Sequence, residues 1–138
     1  MVPRTGVTVK TLDHVNIQTT AVAETARFFT DVLELSAKPP FPGMDMAEVT
    51  WMFDHADRPV VHITRPGATF AEDADRPLRP DTGALHHVAF ECDGYDAMLA
   101  RLARLGLAYR TRDIAPIGLR QLFVHEPNGV LLELNYRE

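Results

Sequence analysis

The 138-residue sequence predicts an α+β fold of two tandem βαβββ modules that form a curved mixed sheet with the helices on its convex side. Two observations predict it. The second half of the chain repeats patterns of the first half in the same order, and each half has one helical pattern among strand patterns. We expect a single domain over 1–138, with module 1 at about 9–64, a linker at 65–83 and module 2 at about 84–138.

Three short segments of the first half recur in the second half, at an offset that falls by one residue each time. The pairs are His14–Gln18 with His87–Glu91 at an offset of 73 residues, Leu33–Leu35 with Leu105–Leu107 at 72, and Val61–Ile63 with Leu132–Leu134 at 71. An ordered set of matches of this kind indicates an internal duplication.

The elements of module 1 follow from the alternation of strands and the 3.6-residue periodicity of helices. They are a strand at Val9–Gln18, a helix at Ala21–Leu33 with Thr20 as its N-cap, a loop at 39–43, and strands at Ala47–Phe53 and Pro59–Thr64.

Module 2 follows a polar, proline-containing linker, Arg65–Gly83, and repeats the same order. Its predicted elements are a strand at Leu85–Cys92, a helix at Tyr95–Leu105 ended by Gly106, and strands at Leu119–His125 and Val130–Tyr136. The turn Glu126–Gly129 contains Asn-Gly between alternating apolar runs, which is a strong signal for a β-hairpin.

Composition excludes several classes of protein. A net charge of −5, from 14 basic and 19 acidic residues, gives no electrostatic attraction to nucleic acid or to an anionic membrane. No apolar stretch approaches the roughly 20 residues of a membrane span, and Met1–Gly6 lacks the apolar region of a secretory signal. The single cysteine, Cys92, is expected in the core, where thiols are usually inert, and fits a reducing compartment. These features predict a cytoplasmic protein.

Four polar residues fall at repeat-related positions on predicted strands. Because successive side chains of a strand face opposite sides, the apolar neighbours of each residue should pack under the helices and leave it on the other face. The four residues are His14, His62, His87 and Glu133. Three imidazoles and a carboxylate suit one divalent metal, nickel, zinc, manganese or ferrous iron, and leave a net charge of about +1 that keeps the ion a Lewis acid.

The same alternation predicts the side chains that would contact a small-molecule substrate beside that metal. They are Asn16, Gln18, Trp51, Arg120, Gln121 and Phe123. By the same alternation, the side chain of His86 should face the helix side of the sheet. We interpret it as a flanking residue that supports a ligand. His55 and His125 lie at turns and are interpreted as solvated.

These residues resemble the vicinal oxygen chelate superfamily, which includes glyoxalase I, extradiol dioxygenases and bleomycin-resistance proteins. The resemblance covers Leu12 to Tyr136 and is carried by four stretches, Leu12–Ile17, Arg27–Leu33, Ala84–Phe90 and Phe123–Glu133. It implies that two modules curl around a shared metal cleft, with ligands on the first strands (His14, His87) and the last strands (His62, Glu133). It also implies a homodimer, in which the modules pair within one chain or between two.

The resemblance is closest to glyoxalase I and implies a divalent-metal-dependent lyase or isomerase. Such an enzyme would act on a small oxygen-rich metabolite through a metal-bound enediolate, with Glu133 as the catalytic base. Glyoxalase I usually has Glu or Gln where His62 stands.

Two alternatives remain at this point. An iron-dependent extradiol-type dioxygenase is disfavoured, because that group has a tyrosine where Phe123 stands and an acid–base histidine where this chain has Ala115–Gly118. A metal-free, bleomycin-resistance-type protein that sequesters a ligand is disfavoured by the presence of all four ligand residues.

Overall fold

The computed structural model describes residues 6–138. Most of Met1–Gly6, the segment considered above for a secretory signal, lies outside the described residues. Each half of the chain forms a βαβββ module, which confirms the predicted fold class. Within residues 6–138, no helix combines the length and the apolar character that crossing a bilayer requires.

The elements are numbered in chain order. Module 1 comprises β1 (Val15–Gln18), α1 (Val22–Leu33), β2 (Ser36–Lys38), β3 (Val49–Phe53) and β4 (Pro59–Thr64). Module 2 comprises β5 (Val88–Cys92), α2 (Tyr95–Leu105), β6 (Arg110–Ile114), β7 (Leu119–His125) and β8 (Leu131–Tyr136). Short 3-10 turns occur at Ala71–Asp73 in the linker and at Ala115–Ile117 before β7.

Each module forms its own four-stranded mixed sheet. The strand orders are β1-β4-β3-β2 and β5-β8-β7-β6, and the two orders are equivalent. The first strand of each module runs parallel to the last strand, and the other neighbours are antiparallel. The first strand of each sheet therefore lies at an edge.

The strand registers reproduce the repeat in three dimensions. Across module 1, Asn16 pairs with His62, His62 with Trp51, and Trp51 with Lys38; we call these four residues the His62 row. Across module 2, Ala89 pairs with Glu133, Glu133 with Phe123, and Phe123 with Arg110, and these form the Glu133 row. Each member of one row has its counterpart 71 to 73 residues away in the other row. The internal duplication is therefore confirmed at the level of individual residues.

Several predicted boundaries were wrong by a few residues. Strand β1 begins at Val15, opposite Val61, rather than at Val9, because this register would place Val9 opposite His55, in the turn that precedes β4. Strand β3 begins two residues later than predicted, at Val49, and β5 begins at Val88 rather than Leu85. Thr20 is not the N-cap of α1, because the helix begins after Ala21 and the Ala21 amide donates to the Thr19 hydroxyl at 3.0 Å.

Both helices bury their apolar stripes in one cluster of side chains that the two modules share. Phe29 of α1 and Leu102 of α2 are each fully buried in this cluster. A further link runs from Arg101 of α2, which donates to the carbonyl of Val32 and contacts Glu34. Burying a large apolar side chain contributes about 1.5–3 kcal/mol, so this shared cluster dominates the stability of the fold.

The hairpin turn between β7 and β8 connects the two modules through Asn128. Its side-chain amide donates to Thr25 Oγ1 of α1 at 2.9 Å, and its side-chain oxygen accepts a 2.7 Å hydrogen bond from Thr19. The buried Glu126 carboxylate holds the turn by accepting from the Asn128 and Val130 amides. This turn therefore fixes module 2 against the start of α1.

We predict that Asn128→Ala lowers the free energy of unfolding by about 2 kcal/mol, because the buried Thr19 hydroxyl loses its acceptor and Thr25 Oγ1 loses the donor that links the two modules. Urea denaturation followed by circular dichroism measures the change. Asp31→Ala, on the exposed surface of α1, is the control and should change the stability by less than about 0.5 kcal/mol. Equal stabilities of the two variants would contradict the role of this turn.

Candidate metal centre

The open face of the first sheet carries a stack of three aromatic rings. The His62 ring lies against the His14 ring, with centroids 3.5 Å apart and planes within 13°. Its other side lies against Trp51, with centroids 4.1 Å apart and planes within 10°. His62 is thereby held in one orientation and is only 7% exposed.

The surroundings of His62 favour its neutral form. Burial, and next the neighbouring His14 ring, lower the pKa of His62 below its usual range. Its Nε2 atom is buried and has no hydrogen-bond partner among the described residues. A neutral imidazole with an unsatisfied buried nitrogen is suited to bind a cation that is supplied from outside the chain.

Asp13 orients the second histidine of this pair. Its carboxylate oxygen lies 2.6 Å from His14 Nδ1. Because a carboxylate only accepts hydrogen bonds, the shared proton belongs on Nδ1, and the neutral ring then has its lone pair on Nε2. A carboxylate behind a histidine is a common way to orient a metal ligand.

The open face of the second sheet carries the equivalent pair, His87 and Glu133. Glu133 Oε1 lies 3.5 Å from His87 Nε2. The other carboxylate oxygen accepts a 3.0 Å hydrogen bond from Asn135, whose own side-chain oxygen accepts from Gln121 at 3.1 Å. These bonds fix the orientation of the Glu133 carboxylate and leave Oε1 directed towards the histidine.

The same register places the two members of each pair. In module 1 His14, directly before the first strand, lies two residues before Asn16, which pairs with His62. In module 2 His87 lies two residues before Ala89, which pairs with Glu133. Parallel pairing of first and last strands thus builds the same two-ligand arrangement twice.

The structure brings most of the predicted contact residues to these two faces. Asn16 accepts a 2.9 Å hydrogen bond from Thr64, and Gln18 pairs with Thr64 in the ladder. Trp51 stacks on His62, and Phe123 neighbours Glu133 in register.

Arg120 does not join this group. Its guanidinium lies over the Tyr95 ring of α2, 3.5 Å from the centroid, on the helix side of the sheet. Because Gln121 faces the open side, its neighbour Arg120 must face the other. The placement of Arg120 among the substrate contacts was therefore wrong.

The remaining histidines take separate positions. His86 Nδ1 lies 2.8 Å from His87 Nδ1, so His86 contacts a predicted ligand from outside the pair. His55 and His125 are exposed.

Within one chain the four predicted ligands form two pairs rather than one set. Residues 6–138 contain no group of three or more His, Cys, Asp or Glu side chains arranged to hold one ion. A groove of about 640 Å³ lies between the two modules and is lined by residues of both edge strands, including His14, Val15, Val88 and Ala89. Each pair alone offers two donors, and the donor types fit a divalent transition metal.

The model of the glyoxalase/bleomycin resistance protein/dioxygenase superfamily matches residues 11–134. The chain belongs to this superfamily. No curated protein matches the sequence. Membership confirms the resemblance that the histidine-bearing strands and the last hairpin indicated.

Solved structures of the superfamily fold are similar over nearly the whole chain. Lactoylglutathione lyase from Agrobacterium tumefaciens has a TM-score of 0.66 at 16% identity, over 93% of this chain and 94% of that protein. The fosfomycin resistance protein FosX from Listeria monocytogenes has a TM-score of 0.65 at 15% identity, over 92% and 91%. A protein from the mobile metagenome of V. Pseudocholerae has a TM-score of 0.69 at 18% identity, over 96% and 98%. At these identities the likeness shows the fold alone.

Sequence reasoning missed the residues that orient the predicted ligands. Asp13 directly precedes His14, and Asn135 is two residues from Glu133 on the same face of β8. A search for polar residues one or two positions from each ligand would have found both.

Cys92 packs against the shared core, and burial raises the pKa of its thiol to about 11. At pH 8 its thiolate fraction should be about 100-fold below that of a free cysteine, because each unit of pKa lowers that fraction about tenfold. We therefore predict that a disulfide reagent such as dithionitrobenzoate labels the native protein at least about 100-fold more slowly than free cysteine. Labelling in guanidinium should be fast and serves as the control. Equally fast labelling of the native protein would show that Cys92 is accessible and reactive.

Proposed function

We propose that this protein is a divalent-metal-dependent lyase or isomerase of the glyoxalase type, which acts on a small oxygen-rich metabolite. The observation that carries the proposal is the unpartnered, buried Nε2 of His62, held beside His14 at a position equivalent to that of Glu133. A purely structural histidine at 7% exposure would be expected to satisfy this atom within the protein.

The metal site would be completed by a second copy of the chain. His14 and His62 would come from one chain, and His87 and Glu133 from its partner. Support comes from the separation of the ligands into two pairs and from the position of β1 and β5 at sheet edges. Exposed apolar residues flank these edges, with Leu12 79% and Leu85 57% exposed, as is common at a protein interface.

His14, His62, His87 and Glu133 would hold the cation, and Asp13, His86 and Asn135 would orient them. The bound metal would supply a Lewis acid that polarises two neighbouring oxygens of the substrate. Glu133 would also be the base that takes a proton from the substrate carbon and returns it, and Asn135 would hold its carboxylate in position through Oε2. Trp51 and Phe123 would form the apolar walls beside the two ligand pairs.

We predict that the untagged protein binds about one nickel, zinc, manganese or ferrous ion per chain, measured by mass spectrometry after reloading. His87→Ala and Glu133→Gln should each weaken metal affinity by more than about 100-fold, because the loss of a direct ligand exceeds the effect of losing a residue that supports one. His125→Ala, at an exposed histidine, is the control and should retain the metal.

Different results would replace the proposal. No stoichiometric uptake of any of the four metals would favour a metal-free binding protein. Iron-dependent oxygen consumption with a catechol would favour a dioxygenase.

A further inference from the structure

Two arginines lie on strand β6 on the face that carries Glu133. Arg110 pairs with Phe123, which pairs with Glu133, and Arg112 pairs with Gln121, which pairs with Asn135. Paired residues of neighbouring strands share a face, so both arginines lie on the face of the second sheet that carries Glu133.

Neither arginine is neutralised by the protein. Among the described residues no carboxylate oxygen lies within ion-pair distance of Arg110 or Arg112, whereas most of the other basic residues contact one. The equivalent position in module 1 shows the opposite behaviour. Lys38 is the module 1 counterpart of Arg110, and its Nζ lies 2.9 Å from Asp57 Oδ1.

The spacing allows these charges to reach a ligand held at Glu133. Neighbouring strands are about 4.8 Å apart, so the Cα of Arg110 lies about 10 Å from that of Glu133. An extended arginine side chain covers much of this distance. A small molecule that fills the gap would contact Glu133 at one end and the arginines at the other.

The residue that pairs with Arg112 in the ladder, Gln121, also has an unsatisfied polar atom. The Gln121 side chain is 5% exposed, and its Oε1 is buried without a hydrogen-bond partner among residues 6–138. A ligand that carries a hydroxyl close to its anionic group would satisfy this acceptor while it binds the arginines of the same face.

We infer that Arg110 and Arg112 bind the anionic oxygens of the substrate, which is a small hydroxylated molecule with a carboxylate or phosphate-type group. This inference rests on the proposed function, because it assigns the substrate class of the same cleft. The planar guanidinium matches either oxyanion with two parallel hydrogen bonds.

Edge strands also carry charged residues simply to prevent sheets from associating. That role requires no anion affinity, and a binding experiment separates it from the inferred one.

Inorganic phosphate and acetate are titrated separately into the protein, with and without metal, by isothermal calorimetry. For at least one of the two anions, the dissociation constant should rise at least about tenfold in Arg110→Gln/Arg112→Gln, since charged hydrogen bonds are lost. Arg110→Lys/Arg112→Lys should recover part of the affinity. Arg27→Gln, an exposed arginine on α1, is the matched control and should bind as the wild type does. Tighter phosphate binding would assign a phosphate-type group, and tighter acetate binding a carboxylate.

Equal affinities in the wild type, the double glutamine variant and Arg27→Gln would overturn the inference, as would no binding of either anion. Metal content measured on the same samples tests the proposed function separately. If metal binds but anion affinity does not depend on the arginines, only the inference fails. If no metal binds but the metal-free protein loses its anion affinity in the glutamine variant, only the metal proposal fails. Thermal melting establishes that each variant is folded.

Discussion

The parallel pairing of the first and last strands in each module is the constraint on which the candidate site depends. It places a residue of the last strand beside the residue that lies two positions after the first-strand histidine. Since side chains alternate along a strand, histidine and partner must then share the open face. The duplication produces this arrangement twice, once with His62 and once with Glu133. Both pairs therefore follow from one register, although their chemistry differs.

The apolar side of each sheet makes that register stable. Val61 and Ile63 flank His62, Leu132 and Leu134 flank Glu133, and all four are buried. A slip of one residue would turn these side chains out and the ligands in. Burying the apolar faces under α1 and α2 thus also holds His62 and Glu133 in place.

The sequence was informative where periodicity was long or where residues recurred. Tyr95–Leu105 was predicted with the observed boundaries, and the repeat predicted the equivalent strand positions of His62 and Glu133. The sequence was less informative where the presence or the boundary of a strand depends on its neighbours in the folded structure. Strand β2 has three residues and no alternation to detect, and the start of β1 depends on where its partner β4 begins.

The hydrogen bonds of Asn128 could not be predicted for a related reason. They join residues more than 100 positions apart, and a local pattern contains no information about such contacts. Arg120 was placed wrongly although the information was present, because its parity with Leu122 already assigned it to the helix side.

The two modules have the same strand order and register but carry different charges. The Lys38 end of module 1 is neutralised by Asp57, whereas the Arg110 end of module 2 remains cationic. The two candidate ligand pairs also differ in charge. The pair in module 1 has two imidazoles, and the pair in module 2 has an imidazole and a carboxylate. A cleft that joins the two faces would therefore be asymmetric, which suits a substrate with distinct ends.

We propose that each metal site joins the His14–His62 pair of one chain to the His87–Glu133 pair of another. It is tested most directly by coexpressing His14→Ala/His62→Ala with His87→Ala/Glu133→Gln in equal amounts. Neither variant alone should bind metal. Random pairing in a symmetric dimer makes half of the dimers mixed, each with one intact site, so the mixture should recover about a quarter of the wild-type metal content. A mixture that binds no more metal than either variant alone would contradict the account.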